Sequence, residues 1–175
     1  QTVRQLLSYV DVVIGNEEDA ADVLSIYAGD TDVYAGHLEI DKYPKVAEKI
    51  IEQFPNVSKV AITLRQSLSA SSNNWGAMLY DHDKNQAFFA PVYHGKYQPY
   101  AINNIVDRVG GGDAFGAGLI YALNSVTYAD PDKAVAFAVA ASCLAHSIEG
   151  DINFSTRADV ESLLHGSGSG RSRRR

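Results

Sequence analysis

Cysteine, methionine and tryptophan occur once each in 175 residues. A single cysteine, Cys143, excludes an internal disulfide and fits a reducing, cytoplasmic compartment. It sits in an Ala-rich helical run, where a small core residue is a more economical reading than a reactive thiol. No run approaches the ~20 apolar residues of a membrane span, and the N-terminus lacks a signal-peptide pattern, so no membrane partner is expected. The histidines, His37, His82, His94, His146 and His165, show no metal-ligand spacing. Basic charge is scarce. Four of the 15 Lys and Arg residues (Arg171, Arg173, Arg174 and Arg175) stand in the last five positions, leaving 11 against 21 acidic residues in the body. A body that acidic argues against nucleic acid as partner.

What is present suits one globular domain: the apolar fraction of 46% can fill a core. Strand and helix patterns alternate. Val10 to Ile14 reads as a continuous apolar strand, Glu17 to Ile26 as a helix, and Asp41 to Phe54 as an amphipathic surface helix. Lys59 to Leu64 reads as a buried strand. Trp75 to Tyr80 and Ala87 to Val92 flank the polar turn 81–85 and form a hairpin. Asn103 to Asp107 is read as a strand entering a glycine loop, and Ala114 to Leu123 as a small-residue helix. Pro131 to Ile148 is a long helix with Asp130 as N-cap, and Ser155 caps a last helix ending at Leu164. Gly150 reads as a helix C-cap, and the Tyr-rich stretch 93–100 as a solvent-edge loop. Such alternation predicts an α/β fold, doubly wound, with a mostly parallel sheet, helices on both faces and an antiparallel hairpin; ligands then gather at the carboxyl ends of strands. Residues 166–175 read as a flexible linker and basic tail, separate from the domain at 1–165.

The densest chemistry lies at Gly110-Gly111-Gly112-Asp113. Glycines let an anion approach backbone N–H groups, and a helix N-terminus supplies unpaired donors and the positive end of its dipole. Asp113 beside such a hole suits a base that takes the proton of a hydroxyl attacking a phosphoryl group. Taken alone, a glycine turn with a first-turn Asp is as readily a simple cap; the strand–loop–helix context favours the anion site.

Asp107-Arg108-Val109-Gly110-Gly111-Gly112-Asp113, followed by Ala114-Phe115-Gly116-Ala117-Gly118, resembles the C-terminal signature of the ribokinase-like (PfkB) sugar kinases, usually Asp-Thr-x-Gly-Ala-Gly-Asp. Arg108 and Gly111 depart from it. With Asn16-Glu17-Glu18-Asp19, Thr63-Leu64-Arg65, Ser69-Ala70-Ser71 and Asn74-Trp75-Gly76, the set is similar to the 2-keto-3-deoxygluconate kinases of that family. The resemblance implies roughly the C-terminal half of a kinase domain, whose missing half supplies much of the sugar site and a β-sheet lid. It implies ATP and a sugar acid as substrates, Mg2+ and possible use of a monovalent cation, and as partner either a homo-oligomer or a completing N-terminal half.

Residue by residue, the resemblance makes Asp113 the catalytic, substrate-facing base, with Gly110, Gly111 and Gly112 as the anion hole. Asn16 would contact nucleotide phosphates, or serve only as a helix N-cap. Asp19 takes the position of an acid that arranges magnesium through water, with Glu18 as its alternate. Thr63 lies beside the nucleotide. Arg65 either clamps a phosphate or is an exposed loop residue. Arg108 adds a cation to the same crevice, useful for an acid substrate. The segment His146 to Asn153 corresponds to the border of the adenine pocket. Two rivals stand beside the acid-sugar kinase: a kinase for another sugar or a nucleoside, and a catalytically inert half-domain that folds, self-associates or binds nucleotide.

Overall fold

The structure is a computed structural model that describes residues 2–26 and 40–166. His37 and residues 167–175 of the expected tail lie outside the described residues. Helix α1 (Thr2–Leu7) leads to strand β1 (Val12–Gly15), which pairs in parallel with β2 (Lys59–Ser69), Val12 opposite Lys59 and Gly15 opposite Ile62. Between them come α2 (Glu17–Leu24) and α3 (Tyr43–Gln53). Strand β3 (Ser72–Asp81) runs antiparallel to β2, to β4 (Gln86–Ala90) and to β7 (Tyr100–Asn103). The short strands β5 (Val92–Tyr93) and β6 (Lys96–Tyr97) make a separate two-stranded ribbon, where a Tyr-rich loop is expected from sequence. The chain then forms α4 (Gly111–Leu123), α5 (Pro131–Ala145) and α6 (Arg157–Leu164).

The period-two alternation of β2 and β3 builds the two layers. Val60, Ile62, Leu64, Met78 and Tyr80 face one side, where they pack with Leu7, Leu24, Val46 and Ile50 of α1–α3. Ala61, Ala77 and Leu79 face the other, against Phe115 and Leu119 of α4, Val135, Ala138 and Val139 of α5, and Val160 of α6. The expected α/β layering, with helices on both faces, is thus present. Its sheet is mixed: the parallel pairing among the described strands is β1–β2, and the remaining pairings in that sheet are antiparallel. The apolar run of β2 ends at Leu64, where the sequence reading stopped the strand. The backbone ladder continues to Ser69, because β3 supplies hydrogen-bond partners regardless of side-chain polarity.

Other boundaries move for local reasons. The strand before the glycine loop is Tyr100–Asn103, not 103–107; Asn104 takes a left-handed turn (φ 60°), and Ile105 N–H donates to Ser71 O (3.0 Å). Thr156, not Ser155, caps α6, through a reciprocal capping box with Asp159. Asp130 does occupy the N-cap position of α5, but its carboxylate pairs with Lys133 (2.9 Å) instead of capping. Helix α5 ends at Ala145, so Gly150 is not its C-cap. Cys143 is a core residue, its thiol pushed up to about 12 by burial. Among the described residues no helix is long and apolar enough to cross a membrane.

Candidate functional site

The glycine loop is held by its own aspartate. Asp107 Oδ1 accepts from the N–H groups of Arg108 (2.7 Å) and Val109 (3.0 Å), and Oδ2 accepts from Gly150 N–H (3.0 Å). These three donors, Val109 foremost, hold the Asp107 carboxyl below its usual range. Gly110 then turns at φ +77°, and a Cβ there would collide with the Asp151 carbonyl. Glycine is therefore required at 110 on both conformational and steric grounds. Behind the loop, the buried Ser142 hydroxyl donates to Gly111 O (2.7 Å). His146 Nδ1 lies 2.8 Å from Ser142 O; a carbonyl only accepts, so Nδ1 carries the proton and Nε2 is the open nitrogen. The His146 ring stands against Trp75 (centroids 4.9 Å apart). The last turn of α5 thus braces the first turn of α4.

In front of this brace lies a cavity of about 210 Å³. Asn16 and Glu18 reach it from the start of α2, and Thr63 and Arg65 from β2. Asn73 and Trp75 line it from β3, Arg108, Gly111 and Gly112 from the loop, and His146 from α5. No heavy atom lies within 4 Å of where a Cβ at Gly112 would stand, so that backbone faces open space. The lining is rich in donors. Burial pushes the His146 imidazole below its usual value; the hydrogen bond to Ser142 opposes this, and the charges of Arg108 and Arg65 add to it. At neutral pH the positive field thus comes from the two arginines and the helix terminus.

The structure gathers seven of the sequence-predicted residues in one cavity: Asn16, Glu18, Thr63, Arg65, Arg108, Gly111 and Gly112. Three stand elsewhere. Gly110 is the hinge behind the loop. Asp113 lies on the exposed side of the first turn of α4, next to Gly112. Asp19 has its carboxylate turned into the α2 cap, Oδ2 accepting from Asn16 N–H (2.8 Å) while Asn16 Oδ1 accepts from Asp19 N–H (2.9 Å). Glu18, not Asp19, is the acid that lines the cavity. Asn16 fills both of its expected places, N-cap and cavity wall. Arg108 does not pair with Asp113: its guanidinium donates to the carbonyls of Ser69 (2.8 Å) and Ala70 (2.9 Å), fixing the β2–β3 turn over the loop.

Sequence reasoning missed Asn73 and the structural roles of Asp107 and Ser142. Asn73 was findable: it sits two residues before Trp75, on the same face of a strand, once β3 is extended past Trp75. A second hollow of about 260 Å³ runs beside α4, lined by Ala117 and Gly118, by Phe137 and Ala141 of α5, and by Asn153.

Residues 1–158 match the pfkB family carbohydrate kinases. Among curated proteins no sequence matches the chain. Among solved structures it is similar to 2-dehydro-3-deoxygluconokinase from Thermotoga maritima, with 38% identity and a TM-score of 0.77 over 94% of this chain and 44% of that one. A PfkB family carbohydrate kinase from Listeria grayi matches with 29% identity and a TM-score of 0.72, over 93% of this chain and 43% of that one. The ribokinase from Thermotoga maritima shares the fold, with 23% identity and a TM-score of 0.59 over 93% and 44%. The chain therefore spans less than half the length of each of these structures. On its sequence match, its fold and its glycine-loop geometry, the chain belongs to the PfkB family of carbohydrate kinases.

Proposed function

We propose that this chain carries the phosphate-binding and proton-accepting part of an ATP-dependent kinase for a sugar acid, with 2-keto-3-deoxygluconate as substrate. One observation carries the reading: Gly111 and Gly112 at the N-terminus of α4, two arginines, Asn16 and Thr63 line one cavity, and Asp113 stands on the same helical turn. Terminal phosphate oxygens of ATP would rest on the helix terminus. Asp113 would take the proton of the sugar's hydroxyl as its oxygen attacks phosphorus and the bond to ADP breaks. Such transfer is mainly positioning and charge neutralisation. The hollow between α4 and α5, lined by Ala117, Gly118, Phe137 and Ala141 with Asn153 and Arg157 beside them, suits the nucleoside base.

Among the described residues no three His, Cys, Asp or Glu side chains cluster as a metal site. A magnesium ion would therefore be held chiefly by phosphate oxygens, with Glu18 as the carboxylate within the cavity, and would neutralise phosphate charge. The acid substrate is supported by Arg65 and Arg108, which give the cavity more positive charge than its helix terminus alone.

A second reading, a half-domain that binds nucleotide without turnover, draws on β1. Its one strand partner among the described residues is β2, and an apolar hollow of about 390 Å³ runs along it past Val3, Leu7, Val13 and Ile14. A coupled ADP-release assay separates the readings. The proposal expects turnover with 2-keto-3-deoxygluconate, well above that with ribose or fructose, once an N-terminal half completes the chain. Equal rates on all three sugars would remove the acid-sugar assignment. No turnover in the completed enzyme would leave only the second reading.

A further inference from the structure

The floor of the cavity holds polar groups that the kinase reading does not yet use. Asn73 is 1% exposed and Trp75 6% exposed. Among the described residues, neither Nδ2 nor Oδ1 of Asn73 has a hydrogen-bond partner, and neither does Trp75 Nε1. Buried polar atoms are almost always paired, because leaving one unpaired costs its full desolvation. Three such atoms on two neighbouring same-face positions of β3, lining one cavity, mark a place built for a ligand. Their surroundings say which kind. Gly111 and Gly112 enter from α4, Arg108 from the loop before it and Arg65 from β2. Apart from the Glu18 carboxylate, the charged side chains lining this space are cationic.

We infer that Asn73 and Trp75 are phosphate-binding residues: the amide Nδ2–H and the indole Nε1–H donate to an oxyanion of the nucleotide's polyphosphate, from the side opposite the glycine loop. This inference rests on the kinase reading above. The remaining atom, Asn73 Oδ1, cannot face a phosphate oxygen. With phosphate bound it would accept from the Arg65 guanidinium. Arg65 lies opposite Trp75 in the β2–β3 register, hence diagonal to Asn73 on the same face, a spacing that a long side chain spans. The ligand thus closes a ring of donors and acceptors that is open in its absence. The brace between His146 and Trp75 fixes the indole for this role. Asn73 is then retained at a cost to the stability of the free protein.

That cost gives the inference a test with two readouts. Inorganic pyrophosphate and ADP, each with magnesium, are titrated into the chain by calorimetry and followed by thermal melting. The variants are Asn73→Leu, Trp75→Phe and Gly112→Val. Asn73→Leu removes both orphaned atoms at similar volume, so the ligand-free melting temperature should rise, while affinity for pyrophosphate and for ADP should fall about tenfold or more. Trp75→Phe, which deletes the N–H and keeps a ring, should weaken both ligands severalfold, and it serves alone should Asn73→Leu fail to fold. Equal loss for the two ligands places the contact on phosphate; loss for ADP alone would place it on the nucleoside and overturn the inference. Unchanged binding in both β3 variants, with loss confined to Gly112→Val, would overturn the inference and leave the kinase reading intact. Loss in the β3 variants with Gly112→Val unaffected would uphold an anion site at β3 and remove the glycine loop from it. A wild-type chain that binds neither ligand overturns both.

Discussion

The two faces of the sheet are built differently. On one, α4 and α5 are Ala- and Gly-rich, lie close against each other and bury Phe115, Leu119, Val135 and Val139 completely. Their ends are tied by Ser142, His146 and the Asp107–Gly150 hydrogen bond, and Arg108 ties the glycine loop to the β2–β3 turn at Ser69 and Ala70. On the other face α1–α3 cover the sheet, and an apolar hollow runs along the β1 edge; there Ile14, opposite Ala61 and near Gly116 of α4, is 37% exposed. The difference teaches that the glycine loop is braced chiefly from α5 and the turn after it, whereas the β1 edge carries an apolar hollow.

The largest effect should come from the chemistry. Asp113→Asn in a completed enzyme is expected to lower turnover by about 10²–10⁴-fold, the scale of general-base catalysis, with little change in nucleotide affinity. Steady-state kinetics check this, and retention of more than half the rate would remove Asp113 from the base role. Next is packing. Phe115→Ala, on the tightly filled face, should cost about 3–5 kcal/mol in denaturant unfolding. Leu7→Ala, beside the existing hollow, should cost distinctly less. Equal costs would mean that the two faces are equally filled and that the comparison fails.

The open strand gives a third expectation. Self-association through β1 should appear in sedimentation at high concentration and be suppressed by Ile14→Lys, because a charge on an edge strand opposes pairing. A concentration-independent monomer would contradict it. The smallest effect is a pH window. The His146 pKa is lower folded than unfolded, so the unfolded chain binds the proton first as pH falls below 6.5. Stability should therefore be full above pH 6.5 and decline below it. The decline should shrink in His146→Gln, read by melting temperature between pH 5 and 8 at constant ionic strength.

Much of this arrangement was legible in the chain. Alternating patterns gave the α/β layers, and the strand–glycine–helix context gave the loop and the helix that follows it, because both follow from local backbone rules. Less visible was whatever depends on pairing across the sheet. The polar run from Arg65 to Ser69 carries no strand signal of its own and is held by β3. With β3 shortened to its apolar stretch, Asn73 drops out of view. From the sequence Arg108 is a cation for the substrate, whereas its hydrogen bonds to Ser69 and Ala70 depend on a turn that the sequence does not announce. Asp19 and Glu18 could not be told apart by position; the capping box separates them by engaging the one whose shorter side chain reaches back to Asn16. Likewise Ser155 and Thr156 are adjacent candidates, and only the distance to Asp159 chooses between them.

The central claim is that the first turn of α4 and the cavity before it bind phosphate. Amide NMR of the chain titrated with magnesium ADP tests this most directly. The account predicts saturable shifts at Gly111, Gly112 and Asp113, and at Asn16 and Thr63, with a dissociation constant on the order of 0.1–1 mM. Gly112→Val should abolish them, because its side chain would fill the open space at that position without meeting protein. Gly111→Val should also abolish them, but by pressing on His146, whose ring lies 3.1 Å from a Cβ at that position. Glycine-loop amides that stay unmoved under saturating magnesium ADP, or shifts that persist unchanged in Gly112→Val, would contradict it.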